Sequence, residues 1–327
     1  AASSSENSTF TLQLAGKSTM VTIKPISTSD FETKAESGTM LLKTYPQTTG
    51  RQNVVLYYDY ASSESSSMGY VNYIELNVPL QLTLQGSAIS ICNTNYLFQT
   101  RNTRFTLTNA TATTQIWRVT DGVNIEQIPT TINQNQMTWI GSNAQVEKYM
   151  AVDVRATNWH KPSYMGIIKN QNLHALRNKD YVIICPEEFR EQAIRLARKH
   201  EEVDHITWAV VTDEEVYNEF SSGTPDVSAY RWFMKMLYDR ANGNTAERPK
   251  NLLLMGNASY DNRNLLGDAS GVSRLLVFEA KNSTIETEAY ATDDYCGFLE
   301  DNAGVDASGR FDETKAKMSI GVGRLPV

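Results

Sequence analysis

Along the first half of the chain, apolar and polar residues alternate in short stretches. Phe10-Thr-Leu-Gln-Leu14, Met20-Val-Thr-Ile-Lys24 and Phe105-Thr-Leu-Thr108 repeat at a period of two, the signature of a strand with one buried face. Val54-Val-Leu-Tyr-Tyr58, Tyr73-Ile-Glu-Leu-Asn-Val78, Ala88-Ile-Ser-Ile91 and Gln115-Ile-Trp-Arg-Val-Thr120 extend the series. Turn formers at Thr49-Gly50, Gly69, Gln85-Gly86 and Asp121-Gly122 separate the runs. Many short strands without helical periodicity predict an N-terminal all-β domain, a sandwich or jelly-roll-like arrangement. Ser62-Ser-Glu-Ser-Ser-Ser67 is expected to form a flexible loop tip, because serine adds solubility and no core.

The second half follows another pattern. Asp180-Tyr-Val-Ile-Ile-Cys185 is a short apolar run of the buried-strand type. Pro186 then opens a helix, with Glu187 and Glu188 against the positive end of its dipole. Phe189, Ala193, Leu196 and Ala197 form its apolar stripe, and Arg198, Lys199 and His200 suit its C-terminus. Ile206-Thr-Trp-Ala-Val-Val211 is a second strand, and Asp213 to Phe220 a short helix. Asp226 caps a further helix whose Tyr230, Phe233, Met234, Leu237 and Tyr238 recur at spacings of three and four. Asn251 to Met255, Leu275 to Phe278 and Met318 to Val322 are expected as strands three, four and five. Strand–helix alternation predicts an open, mainly parallel α/β sheet, whose sites lie beyond the carboxyl ends of its strands. Those ends are Cys185-Pro186, Thr212-Asp213, Gly256-Asn257 and the acidic stretch before the last strand.

Composition sharpens the division. Of the serines and threonines, 39 lie in residues 1–150 and 19 in 151–327. Net charge is +1 through Asn170, from 12 basic and 11 acidic side chains, and −8 beyond it, from 18 and 26. We therefore expect a β-rich domain over 1–160, a linker over 161–178 and an α/β domain over 179–327. The overall charge of −7 argues against a nucleic-acid partner, which would need a basic face. No apolar run approaches the roughly 20 residues of a membrane-spanning helix. The start, Ala1-Ala2-Ser3-Ser4-Ser5-Glu6, lacks the basic and apolar regions of a signal peptide.

The familiar catalytic sets are incomplete. Three scattered cysteines make neither a disulfide framework nor a zinc site. Cys185 ends one strand while His205 precedes the next, so a parallel sheet holds them at opposite edges. Cys92, in a β run, reads as a buried and inert thiol. Cys296, in Asp293-Asp294-Tyr295-Cys296-Gly297, has acidic neighbours that would raise a thiol pKa. His160 and His174 fall in the linker, and His200 suits the helix dipole. Neither HExxH, Gly-x-Ser-x-Gly, a Walker loop nor Gly-x-Gly-x-x-Gly occurs. Among the acidic clusters, Asp293 and Asp294 are candidates to hold a basic substrate side chain, and Glu300 and Asp301 to contribute to a Ca²⁺ site. A solvated loop at the sheet edge would give the same composition.

Five segments in order carry a resemblance. They are Tyr181 to Phe189, Val210 to Gly223, Leu252-Leu-Leu-Met-Gly-Asn-Ala-Ser-Tyr-Asp261, Thr292-Asp-Asp-Tyr-Cys-Gly297 and Ile320-Gly-Val-Gly-Arg-Leu-Pro326. In these the chain resembles the gingipain-like cysteine peptidase family, and within it the sortases of the type IX secretion system. The likeness covers 170–327 strongly and extends more weakly through Tyr73 to Asn77 and Ile168 to Leu176. It implies a caspase-like α/β sheet, of which residues 179–327 would be the first, truncated subdomain. The family's catalytic histidine, in Gly-His-Gly, and its cysteine follow the Ile-Gly-x-Gly-Arg-Leu-Pro motif. They are therefore expected beyond Val327, and this chain would be an N-terminal fragment, inactive alone. The resemblance further places Asp293 in the pocket for a basic substrate side chain. Cys296 stands where relatives have an aromatic, and Asn257 where they have an aspartate. The implied parent is a cell-surface enzyme of a Gram-negative outer membrane. Its partners would be exported proteins with C-terminal sorting domains and other secretion components. A non-catalytic binding or assembly module of the same complex is the competing reading.

Overall fold

The computed structural model describes residues 1–27, 33–43, 55–77, 80–94, 97–159, 161–267, 274–280, 282–301, 303–304 and 317–327. The chain forms two compact units: residues 1–73 with 169–327, and residues 74–168. The first 73 residues thus group with the α/β segment, whereas composition had joined them to the rest of the β-rich half. Val54, the Thr49-Gly50 turn and His160 lie outside the described residues.

In the first unit, strands β1 (Ser8–Leu14), β2 (Lys17–Ile23) and β3 (Leu56–Ser62) form an antiparallel sheet in the order β2-β1-β3. Alternation works as expected here: Phe10 and Ile23 are buried, and Phe10 packs between Tyr58 and Tyr60 at ring distances of 5.4 and 4.8 Å. The Ser62–Ser67 stretch is not a loose tip. Glu64 accepts hydrogen bonds from the Ser5 amide (2.6 Å), from Ser4 and Ser5 hydroxyls (3.0 and 3.1 Å) and from Ser66 (2.8 Å). These donors hold its carboxyl at about 2, well below the ordinary value. Within the stretch, Ser62 Oγ accepts from the Glu64 amide at 3.1 Å and Ser67 donates to the Glu64 carbonyl at 2.8 Å.

The second unit carries β4 (Ala88–Cys92), β5 (Thr103–Thr108), β6 (Thr114–Arg118), β7 (Glu126–Gln127), β8 (Thr131–Asn133), β9 (Gln136–Gly141) and β10 (Lys148–Asp153). One antiparallel sheet runs β4-β10-β6-β7 and another β8-β9-β5. Both contribute to one core: Ile91, Ile116, Tyr149 and Ala151 from the first, Phe105, Leu107, Met137 and Trp139 from the second. Phe105 stacks on Trp139 at 5.0 Å. The buried Glu147 carboxylate is satisfied by Arg118 (3.1 Å), the Ser142 amide (2.9 Å) and the Tyr149 hydroxyl. Two expectations fail. Cys92 is exposed at the end of an edge strand. Tyr73 to Asn77 forms no ladder, and Tyr73, Ile74 and Leu76 are exposed, so its alternation has no buried face to serve.

Residues 169–327 add β11 (Tyr181–Cys185), β12 (Trp208–Thr212), β13 (Asn251–Met255) and β14 (Gly321–Leu325), all parallel, in the order β12-β11-β13-β14. Helices α1 (Arg190–Asp204), α2 (Asp213–Phe220) and α3 (Val227–Arg240) cover it. Ile183 and Cys185 face α1 with Ala193 and Ala197, while Val182 and Ile184 join the cluster of Tyr230, Phe233 and Leu237. Both faces are covered, which is why these strands read as unbroken apolar runs. The start of α1 is a 3₁₀ turn, Glu187–Phe189, and the helix ends at His205 in the left-handed region, φ 56°. The sheet has four strands among the described residues, where five were expected. Leu275 to Phe278 forms no strand of it: the Leu275 amide makes one isolated bond to the Asn257 carbonyl at 2.8 Å, and Phe278–Glu279 pairs, antiparallel, with Ala291–Thr292. The last strand begins three residues late. It trades Met318 for Arg324, because register with β13 decides its length.

The second half of the expected linker is docked. Glu219 of α2 accepts from the amides of Leu173 (2.6 Å) and His174 (3.1 Å), from Gln171 Nε2 (2.9 Å) and from His174 Nδ1 (2.5 Å). Its carboxyl is held at about 2 despite burial, which alone would raise it. Glu219→Ala orphans two amides, so we expect a loss of about 2 kcal/mol. Hydrogen exchange at Leu173 and His174 should accelerate about tenfold or more. Because the carboxyl sits below the unfolded value, its contribution is present above about pH 4.5 and is lost as pH falls toward 2. Unchanged exchange in the variant would show that this clamp does not hold the segment.

Candidate functional site at the carboxyl end of the parallel sheet

From β11 the chain crosses to one side, to β12, and then returns to the other, to β13. Open α/β sheets bind ligands at such a reversal, beyond the carboxyl ends of the strands. Cys185-Pro186 and Met255-Gly256 end the two central strands there. The close approach is real: a Cβ on Gly256 would lie 3.1 Å from Leu275 and 3.5 Å from Pro186.

At the end of β12, Thr212 and Glu215 form a reciprocal cap, with Glu215 N to Thr212 Oγ1 at 3.1 Å and Thr212 N to Glu215 Oε2 at 2.8 Å. Glu215 also pairs with Arg190 at 2.5 Å. Asp213, the first residue of α2, has no such cation among the described residues. Burial raises its carboxyl to about 6, opposed by the Glu214 amide and its own. Behind it, the Tyr217 and Tyr230 hydroxyls bond to each other, and both phenols are pushed up by burial.

Asp293 lies at the same end of the sheet. Arg324 of β14 grips it in a fork, Nε to Oδ2 at 2.8 Å and Nη2 to Oδ1 at 2.7 Å. The carboxylate that the sequence assigned to a substrate cation thus has an internal partner. Asp294 is exposed in the adjoining 3₁₀ turn, Asp294–Gly297, its amide bonded to Thr292 Oγ1 at 3.1 Å. Tyr295 stacks on Phe278 at 4.4 Å and meets the Ser228 hydroxyl at 3.2 Å. Arg231 and Lys235 of α3 hold the carbonyls of Phe298 (2.7 Å) and Leu299 (3.1 Å).

Glu300 and Asp301 do not converge. Glu300 accepts from the Tyr238 hydroxyl, and Asp301 pairs with Lys235 at 2.7 Å. Among the described residues no group of three or more His, Cys, Asp or Glu side chains is arranged to hold a metal ion.

The thiols offer little nucleophilicity. Burial pushes Cys185 up to about 11, and burial followed by the Asp293 charge pushes Cys296 up to about 12. His174 is bonded to Glu219 and His200 to Asp204, and among the described residues no histidine bonds to a cysteine. Arg324 is the site residue that sequence reasoning missed. It stood in the Ile320 to Pro326 motif without a role, and the only signal was a cation in a strand flanked by glycine.

Residues 174–327 match the family model described as Peptidase family C25. The whole chain matches the crystal structure of dimeric latent PorU from Porphyromonas gingivalis, with a TM-score of 0.80 and 25% identity, covering 100% of this chain and 31% of that one. The chain therefore spans about a third of the length of the structure it matches. No curated protein matches it. The family match bears out the resemblance to the gingipain-like cysteine peptidases, and the structural match bears out the resemblance to PorU.

Proposed function

We propose that this chain is the β-rich portion and first α/β subdomain of a gingipain-like C25 cysteine peptidase that acts as a type IX secretion sortase. The observation that carries the reading is the match of the whole chain to about a third of PorU, together with the match of the α/β part to the peptidase family. On this reading the four-stranded parallel sheet is caspase-like, and the two antiparallel sheets of residues 74–168 form the sandwich. The parent protein would sit at the outer-membrane surface and cleave C-terminal sorting domains from exported proteins. Among the described residues no helix is long and apolar enough to cross a membrane.

The chemistry asked of the parent is covalent. A histidine takes the thiol proton, and the thiolate attacks the carbonyl carbon. The amide nitrogen leaves with that proton, and a second nucleophile then displaces the thiol from the acyl-enzyme. The histidine and cysteine for this are assigned to the part of the parent that this chain does not span. The chain's own part is to build the sheet end against which that half would close.

By itself the chain is expected to hydrolyse no peptide. Turnover by the purified chain that Cys185→Ala or Cys296→Ala abolishes would contradict this. The functional test belongs in cells. Deleting residues 174–327 from the parent gene should leave exported proteins with their sorting domains attached, and normal release would sink the reading. If deletion blocks release while replacement of the parent's nucleophilic cysteine does not, the chain serves as a non-catalytic assembly module instead.

A further inference from the structure

Arg324 uses every donor it has. Its side chain is 10% exposed and that of Asp293 20% exposed. Nε and Nη2 span the two Asp293 oxygens, while Nη1 reaches the carbonyls of Gly256 (3.1 Å) and Asn257 (3.2 Å), and Nη2 that of Leu276 (3.0 Å). A guanidinium carries five N–H donors, and these five bonds exhaust them. One side chain thereby ties β14 to the segment after β13, to the Leu275–Val277 passage and to the turn that holds Cys296.

The geometry points to Asp293 as the counter-ion that fixes Arg324 across this end of the sheet, leaving no free carboxylate there to select a basic substrate side chain. The inference rests on the peptidase reading above. A substrate guanidinium could use Asp293 only by evicting Arg324 or by sharing the carboxylate with it. Eviction strands a nearly buried cation on three carbonyls, and sharing sets two cations against one anion. Asp294 offers no substitute, since an exposed carboxylate attracts a cation weakly and is screened by salt. Cys296 adds no second anion, because its thiol is buried beside a carboxylate. Asp293 is a positioning residue.

The test uses the full-length protein and paired peptides that differ only in Arg, Lys, Gln or Met before the scissile bond. The four should be cleaved with kcat/KM values within about threefold of one another, whereas a site built on a buried carboxylate would discriminate by about 10⁴-fold. Asp293→Asn should leave those ratios unchanged while lowering Tm by about 6 °C or more. A preference for Arg or Lys of about 100-fold that collapses in Asp293→Asn would overturn the inference. Should Asp293→Asn not fold, Asp293→Glu keeps the charge and alters the fork. If the full-length protein cleaves none of the peptides, the peptidase reading fails separately, and titration of this chain with arginine amide still decides the counter-ion assignment. No saturable binding is expected. Saturable binding lost in the Asp293 variant would overturn it.

Discussion

Phe233→Ala should lower the melting temperature of the α/β unit by about 6–15 °C, the equivalent of about 3–5 kcal/mol. Phe233 is fully buried on the inner face of α3, with Ala229, Tyr230, Met234, Leu237 and Tyr238 beside it. It meets Phe220 of α2 at 5.4 Å, so truncation opens a cavity between two helices and the sheet. The outer side of the same helix grips the Tyr295–Leu299 segment through Ser228, Arg231 and Lys235. Loosening α3 should therefore reach the sheet end. Faster hydrogen exchange at Cys296 and Phe298 should accompany the lower Tm. A shift below about 2 °C would mean that the site collapses around the missing ring and that the packing argument fails.

Asp213→Asn should stabilise the chain, and only at neutral and higher pH. The folded carboxyl is raised to about 6 from an ordinary value of 3.8. The folded state therefore binds the proton more tightly than the unfolded chain does. That advantage is full below about pH 3.8, and it fades as pH rises through 6. Above that, the chain folds with a half-buried anion at a cost of about 3 kcal/mol relative to low pH. Asparagine removes the charge and keeps an oxygen for the helix amides, though it gives up about 0.3–1 kcal/mol of attraction to the dipole. The net gain at pH 8 is about 2 kcal/mol, with no gain at pH 3. Thermal melts of both proteins across this range check it. Equal shifts at both ends, or a loss at pH 8, would show that the anion is better solvated than its burial implies.

Near-neighbour chemistry in the sequence was a sound guide to these elements. Helix α2 runs from Asp213 to Phe220 as expected, behind the Thr212–Glu215 capping box, and Asp226 caps α3 through the Ser228 amide at 2.8 Å. Both are interactions within four residues, which any fold containing the helix must make. The runs at 181–185 and 251–255 were legible because strands covered on both faces are apolar throughout. Leu275 to Phe278 misled for the same reason. Leu275 and Val277 are buried, but by packing at the sheet end with a single isolated bridge to Asn257 rather than by a ladder in the sheet. An apolar run reports burial, and pairing is a separate matter.

Sequence by itself determined the change from β-rich to α/β chain near residue 170, the three helices, three of the four parallel strands, the strand ends where a site would lie and the peptidase resemblance. Each follows from local periodicity, capping or motif order. Tertiary structure alone decided that residues 1–73 pack with the α/β unit, that Glu64 gathers serines some 60 positions away, and that Cys92 faces solvent. It alone decided, too, that Asp293 belongs to Arg324, 31 positions later. A carboxylate takes whichever cation the strand order brings within about 3 Å, and in a sheet ordered β12-β11-β13-β14 that cation comes from the last strand the chain adds.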